Sequence, residues 1–224
     1  FTTFIGPSGC GKSTLLKIIA GFSFPYEGHL RYIGREVTSI NTDAGFITQD
    51  SNLFPWLTLI ENVELPLKIR GVPKEERQRM AQMFIDMMQL TGFERHYPFE
   101  LSGGMQKRCS IIRTLIYDPD IILMDEPFGP LDAQTRMILQ DELLRIWDKN
   151  QKTILFVTHD LTEAIALSDK VVLFTQRPGR VKHVFDIPLT RPRNVFEIHS
   201  QKGFTETYHE IWQYFKTEIK VRGG

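Results

Sequence analysis

The chain has 224 residues, 42% of them hydrophobic, which is enough for one sizeable domain or for a core with an inserted subdomain. Its 27 Lys and Arg balance its 27 Asp and Glu, which excludes an overall field drawing it to nucleic acid or an anionic membrane, though not a local basic patch. No apolar run approaches the roughly 20 residues of a membrane-spanning helix and no stretch reads as a signal peptide, while Cys10 and Cys109 sit in no metal or redox spacing. A soluble protein of a reducing compartment is expected.

Residues 1–5, F-T-T-F-I, read as a short buried strand, and residues 15–21, L-L-K-I-I-A-G, as an apolar helix ending in glycine. Between them, residues 6–14 read G-P-S-G-C-G-K-S-T and fill the pattern G-x-x-x-x-G-K-[ST] in the strand, loop, helix order it requires. Gly6, Gly9 and Gly11 free the backbone of this loop, completed by Pro7, Ser8 and Cys10, so that successive N–H groups converge on phosphate oxygens. The helix starting near Lys12 aims its positive end at the same anion. Lys12 is expected to reach the outer phosphates, Ser13 to ligate the Mg²⁺ that travels with a nucleotide, and Thr14 to add a further phosphate contact. Phe1 already lies inside the strand, so upstream sequence is expected to be missing, and with it whatever grips the adenine.

Residues 25–38 suggest short antiparallel strands with turns at Tyr26-Glu27-Gly28 and near Ile33-Gly34-Arg35. Residues 44–48, A-G-F-I-T, are a strand that delivers Gln49, whose amide can both accept and donate, to the end facing the phosphate loop. The aromatic segment 52–59, N-L-F-P-W-L-T-L, either docks a partner through Phe54 and Trp56 or folds them into the core. Residues 58–69 and 74–90 carry helical spacing, and the stripe Met80, Met83, Phe84, Met87 and Leu90 is read as core. After a loop over 92–100, L-S-G-G-M opens a helix on which Ser102 is an N-cap and Gly103 and Gly104 leave backbone N–H groups bare, a second potential anion site.

The run D-I-I-L-M-D-E-P over 120–127 is a strand buried on both faces, as a parallel sheet requires, and it ends in two acids. At that end Asp125 is placed to hold Mg²⁺ through water and Glu126 to activate an attacking water. G-P-L-D over 129–132 precedes a helix stopped near Asn150, and the strand T-I-L-F-V-T over 153–158 presents His159 and Asp160 at its carboxyl end. Residues 170–175 and 181–187 are strands about Arg177-Pro178-Gly179-Arg180, which reads as a type II turn. Phe204, Tyr208, Ile211, Trp212, Phe215 and Ile219 are spaced as one helical face.

The phosphate loop, Gln49, L-S-G-G-M, M-D-E-P, G-P-L-D and His159 follow one another in an order and spacing that resembles the ATP-binding-cassette (ABC) ATPases. The resemblance implies an α/β phosphate-loop NTPase (RecA-like) core with an antiparallel β portion and an inserted α-helical subdomain: one domain over 1–224, with 1–53 and 119–190 as nucleotide-binding core, about 54–118 as helical subdomain and about 191–224 as a C-terminal tail. It also implies roles: the Walker A loop through Lys12, Ser13 and Thr14, the Q-loop at Gln49, the signature at Ser102, Gly103 and Gly104, the Walker B metal site at Asp125, the catalytic base at Glu126, the D-loop at Asp132 and the switch histidine at His159. Met105 departs from the commoner glutamine, with Gln106 next in line.

F-P-W-L-T-L-I-E-N-V from Phe54, together with R-P-G-R-V and D-I-P-L-T-R-P-R near the C-terminus, resembles the bacterial branch that imports nitrate, sulfonates or taurine. That branch implies ATP and Mg²⁺ as ligands, a second cassette and a transmembrane permease as partners, a substrate-binding protein indirectly, no nucleic acid, and a peripheral place on the cytoplasmic face of the inner membrane. A DNA-maintenance ATPase of the same superfamily would carry a long coiled coil between Ser13 and Leu101, where no sustained heptads occur; a translation ATPase would carry two cassettes and basic linkers; a small phosphotransferase would explain neither L-S-G-G nor His159.

Overall fold

The computed structural model describes residues 1–24 and 27–219, so the turn expected at Tyr26 lies partly outside the described residues. In chain order the elements are β1 (Thr2–Ile5), α1 (Lys12–Ile19), the two-stranded hairpin β2 (Arg31–Tyr32) and β3 (Arg35–Glu36), β4 (Ala44–Ile47), α2 (Leu59–Ile69), α3 (Lys74–Met87) and α4 (Gly103–Leu115). There follow β5 (Ile121–Asp125), α5 (Ala133–Asn150), β6 (Thr153–Val157), α6 (Leu161–Leu167), β7 (Lys170–Phe174), β8 (Val181–Asp186) and α7 (Phe204–Ile219), with 3₁₀ turns at Pro98–Glu100 and Val195–Ser200. The main sheet has the order β4-β5-β6-β1-β7-β8, parallel throughout except for β8.

Alternation along the central strands distributes them between two faces. Ile122, Met124, Ile154 and Phe156 join Leu59, Ile85, Ile112 and Leu143 of α2 to α5 in one apolar cluster. Ile121, Leu123, Val157 and Phe4 turn to the opposite face and meet Leu16 and Ala20 at α1. A third cluster joins Ile5, Val171 and Leu173 to Ile165 of α6 and to Phe204, Ile211 and Phe215 of α7. Burial on both faces is why β5 reads as an unbroken apolar run.

Helix α2 starts in a capping box, in which Glu61 Oε2 accepts from the Thr58 N–H at 2.8 Å and Thr58 Oγ1 accepts from the Glu61 N–H at 3.4 Å. Asn62, fully buried on its first turn, accepts from the Phe54 N–H at 2.8 Å and donates to the Phe54 and Leu57 carbonyls at 3.1 and 3.0 Å. That side chain satisfies the backbone of residues 54–57 from below, and the aromatic rings turn outward. Phe54 is 37% and Trp56 69% exposed, their ring centroids 5.5 Å apart.

Three expectations are corrected. The stripe on α3 is core only in part: Leu90 is buried and Met80 and Phe84 pack against the core beside Ala81, Ile85 and Met88, while Met83 and Met87 are 56% and 43% exposed and border a cavity of about 320 Å³ with Leu143 and Trp147. Two stripes of the same period run along this helix, and periodicity fixes spacing without fixing which stripe faces inward. Residues 177–180 are not a type II turn, because Gly179 does not take the positive φ that turn demands. On α7, Thr207 is buried with Phe204, Ile211 and Phe215 whereas Trp212 and Ile219 are exposed, so the apolar face is narrower than its spacing suggests.

Candidate active site

Because β4, β5, β6 and β1 are parallel, their carboxyl ends lie along one edge of the sheet, and each carries a polar group there: Gln49 beyond β4, Asp125 and Glu126 at the end of β5, His159 beyond β6, and the loop 6–14 after β1. The loop turns through Gly9 at φ 77° and Gly11 at φ 110°, conformations a side chain would oppose. Gly11 begins α1 without any side-chain cap, so the first N–H groups of the helix remain available to an anion. Lys12 is buried, its Nζ donating to the carbonyls of Gly6 at 2.8 Å and Pro7 at 3.1 Å. Ser13 Oγ donates to Asp125 Oδ1 at 2.7 Å, which joins the helix start to the end of β5.

Glu126 sits at φ 45°, a left-handed conformation uncommon for a residue with a side chain, and its N–H donates to the Val157 carbonyl at 3.0 Å. This turn carries its carboxylate out of the sheet edge to 3.2 Å from His159 Nδ1. A carboxylate can only accept, so Nδ1 is the donor in this bond, and among the described residues no hydrogen bond engages Nε2. His159 is held between β6 and the first turn of α6, where Asp160 Oδ1 accepts from the N–H groups of Thr162 and Glu163 at 2.7 and 3.2 Å. His159 also borders a cavity of about 330 Å³ with Gly6, Pro7, Ser8 and Arg177. The Gln49 side chain lies by Gly129, where a Cβ would come within 3.3 Å of its Nε2.

The other expected residues stand apart. Ser102 Oγ accepts from the Met105 N–H at 3.3 Å and Asp132 Oδ1 from the Thr135 N–H at 3.0 Å, so both are N-caps. The hydrogen bond from Thr135 holds the Asp132 carboxyl below the usual carboxylate range. Gly104 approaches Thr135 so closely that a Cβ there would lie 2.7 Å from its methyl group. Among the described residues, no hydrogen bond joins Ser102, Gly103, Gly104 or Asp132 to the phosphate loop of the same chain.

Two supports were not singled out from the sequence. Arg177 Nε donates to the Gly9 carbonyl at 2.7 Å, and Gly179 lies so close behind the loop that a Cβ on it would come within 2.0 Å of the Cys10 carbonyl oxygen. The dipeptide Pro-Gly signalled a turn but not what the turn leans on. Lys107, buried on α4, donates to the carbonyls of Thr48 at 2.5 Å and Gln49 at 3.1 Å and so ties the signature helix to the Gln49 segment. Its signal was present: Lys107 shares a helical face with buried Ile111 and Thr114.

Burial lowers the Lys107 pKa from 10.5 to about 8. Between those values the unfolded chain binds the extra proton, so stability contributed at this position rises with pH across that window and is flat below it. Relative to Lys107→Met, the native chain is expected to gain up to about 3 kcal/mol from pH 7.5 to 10.5. Denaturant titrations of both proteins across that range measure it, and a difference that stays constant would place the ammonium in water.

A family profile described as "ABC transporter" matches residues 1–129. This chain belongs to the ABC transporter family. It is accordingly an ATP-binding, ATP-hydrolysing cassette. It is 51% identical over 219 residues to the uncharacterized ABC transporter ATP-binding protein MJ0412 of Methanocaldococcus jannaschii, covering 98% of this chain and 80% of that protein. It is 42% identical to the aliphatic sulfonates import ATP-binding protein SsuB of Bacillus cereus, covering 100% of this chain and 84% of that one, and 46% identical to SsuB of Bacillus subtilis over 87% of this chain and 75% of that one. Among solved structures, the cassette MJ0796, in a dimeric post-hydrolysis state bound to ADP and Pi, superposes with a TM-score of 0.73 at 34% identity, covering 84% of this chain and 85% of that one. No helix among the described residues of the cassette is long and apolar enough to cross a membrane.

Proposed function

We propose that this cassette energises a bacterial importer of a small sulfonate or a related anion such as nitrate or taurine, working as a dimer beneath a transmembrane permease on the cytoplasmic face of the inner membrane. The observation that carries the importer reading is the similarity to sulfonate-import cassettes along the whole chain. Loss of this cassette from its own cell is expected to abolish growth on aliphatic sulfonates as sole sulfur source while sparing growth on sulfate. Unimpaired growth on sulfonates would remove that solute class.

In this reading the N–H groups of the phosphate loop and α1 take the β- and γ-phosphates, and Lys12 exchanges the Gly6 and Pro7 carbonyls for phosphate oxygens. The Ser13 hydroxyl, the Asp125 carboxylate and the Gln49 amide carbonyl are all oxygen donors at one sheet edge, a set that suits Mg²⁺ with the phosphates completing its shell. When bound, Mg²⁺ would neutralise charge that develops on the transferring phosphoryl group. Glu126 accepts a proton from the water whose oxygen attacks the γ-phosphorus, the bond to the β,γ-bridging oxygen breaks, and ADP leaves. The Nδ1–H of His159 orients the Glu126 carboxylate.

Ser102, Gly103, Gly104 and Asp132 act on the partner's nucleotide, so that two ATP molecules are held between two copies and hydrolysis separates them. This is supported by the exposed caps that these residues form away from their own phosphate loop and by the dimeric state of the cassettes that the chain resembles. Residues 54–118 move as a helical unit against the core formed by 1–53 and 119–190, with Lys107 and Gln49 at the joint.

Phe54 and Trp56 form part of the surface that meets the permease, because their rings are presented to solvent by a backbone that Asn62 holds rigid. Aromatic anchors commonly contribute about 2 kcal/mol or more to an interface, so the double variant Phe54→Ala with Trp56→Ala is expected to weaken permease binding roughly thirtyfold. Melting temperature and ATP affinity stay near those of the native chain. A permease pull-down beside thermal denaturation reads both, and undiminished capture would place the contact elsewhere.

A further inference from the structure

We propose that Glu163 is a positioning residue for hydrolysis, bridging the turn that carries His159 to the helix that Asp132 caps. Glu163 lies on the first turn of α6 and is only 7% exposed. Its Oε2 accepts from Thr158 Oγ1 at 2.5 Å and its Oε1 accepts from Gln140 Nε2 at 2.9 Å. Thr158 and Gln140 are themselves buried, so both bonds are sheltered from water. Thr158 Oγ1 in turn accepts from the Asp160 N–H at 3.1 Å. The hydroxyl therefore spans the backbone on either side of His159, and the carboxylate behind it determines which way that hydroxyl points.

On the far side the bridge reaches the start of α5. Arg136 Nε is 3.8 Å from Glu163 Oε1, its Nη1 is 3.9 Å from Asp160 Oδ2, and its Nη2 donates to the Leu131 carbonyl at 3.0 Å, next to Asp132. Arg136 Nε is buried and makes no hydrogen bond among the described residues, and a cavity of about 20 Å³ opens beside it, bordered by Glu126, His159 and Glu163. Burial pushes the Glu163 carboxyl above its usual range. An acid kept in such a place is costly unless several donors hold it, and an apolar residue of similar size would pack there with less penalty. What the carboxylate adds is a fixed distance between two segments, one ending at the residue beside Glu126 and the other at the cap expected to face the second copy.

This inference rests on the assignment of Glu126 and His159 to hydrolysis, and the experiment separates the two. ATPase rate, ATP affinity and melting temperature are compared for Glu163→Ala, Glu163→Gln, His159→Ala and the double variant His159→Ala with Glu163→Ala. Glu163→Ala is expected to lower kcat by about 10- to 100-fold, the range over which a supporting hydrogen bond commonly acts, with ATP affinity unchanged within about twofold. Glu163→Gln, which still offers an acceptor and a donor to Thr158 and Gln140, restores most of the rate. In the His159→Ala background the Glu163→Ala change adds little, since its effect runs through that histidine.

Wild-type turnover of Glu163→Ala, full additivity with His159→Ala, or a loss of ATP affinity equal to the loss of rate would each overturn the proposal. Wild-type turnover of His159→Ala alone would instead overturn the assignment on which it rests. Should Glu163→Ala fail to fold, Gln140→Leu removes one arm of the bridge at similar volume and is expected to lower kcat by about 3- to 10-fold with affinity kept; an unaltered rate there would equally refute the bridge.

Discussion

Replacing Glu126 by glutamine is expected to lower ATP turnover by about two to four orders of magnitude, the range typical of losing a general base, while leaving ATP binding intact. Glutamine has the shape of glutamate, so the left-handed turn at this position, the N–H bond to the Val157 carbonyl and the contact with His159 Nδ1 can all persist. Only the ability to take up a proton is lost. Nucleotide that binds and is not consumed holds two cassettes together, so the variant accumulates as an ATP-bound dimer, and sizing chromatography with and without ATP reads that directly. Hydrolysis at the native rate would show that the proton goes elsewhere.

Lys12→Ala is expected to remove measurable MgATP binding, a loss of at least about a hundredfold given that a hydrogen bond to a charged group contributes about 1.5 to 3 kcal/mol and a desolvated phosphate loses its facing charge as well. Lys12 is buried, and its ammonium is satisfied by two carbonyls of its own loop. Its removal takes the cation away from the cradle and leaves those carbonyls unpaired, so the loop also loses a clasp that keeps its N–H groups convergent. Equilibrium titration with labelled ATP decides the matter. Affinity equal to that of the native chain would show that the backbone and helix start suffice.

Much of this arrangement is legible in the sequence, for a definite reason. Strands buried on both faces declare themselves by unbroken apolar runs, and a parallel sheet puts its polar exceptions at one edge. Gln49, Asp125, Glu126 and His159 could therefore be read off as the residues that end such runs, and the structure brings Ser13 to Asp125 and Glu126 to His159. What could not be read was anything that depends on the phase of a helix or on a long-range contact. Met83 and Met87 recur at helical spacing but lie off the buried stripe of Ala81, Ile85 and Met88. The dipeptide Pro178-Gly179 has the composition of a turn, but the space it must fit is set by Cys10, far away in the chain. Glu163 and Lys107 look like ordinary charged positions on helices until Thr158, Gln140 and the Gln49 segment are seen around them.

The position of β1 in the sheet also governs when the phosphate cradle can first exist. Among the described residues this strand pairs with β6 and β7, whose residues lie between 153 and 174. The two strands that flank it follow roughly 150 residues later in the chain, an interval of about 10 to 30 s of synthesis. Until then β1 has no ladder to join, and Gly9 and Cys10 have no Arg177 and Gly179 behind them. A nascent chain that ends before residue 170 thus holds every letter of the phosphate loop without the strand and the turn that the folded chain sets beside it.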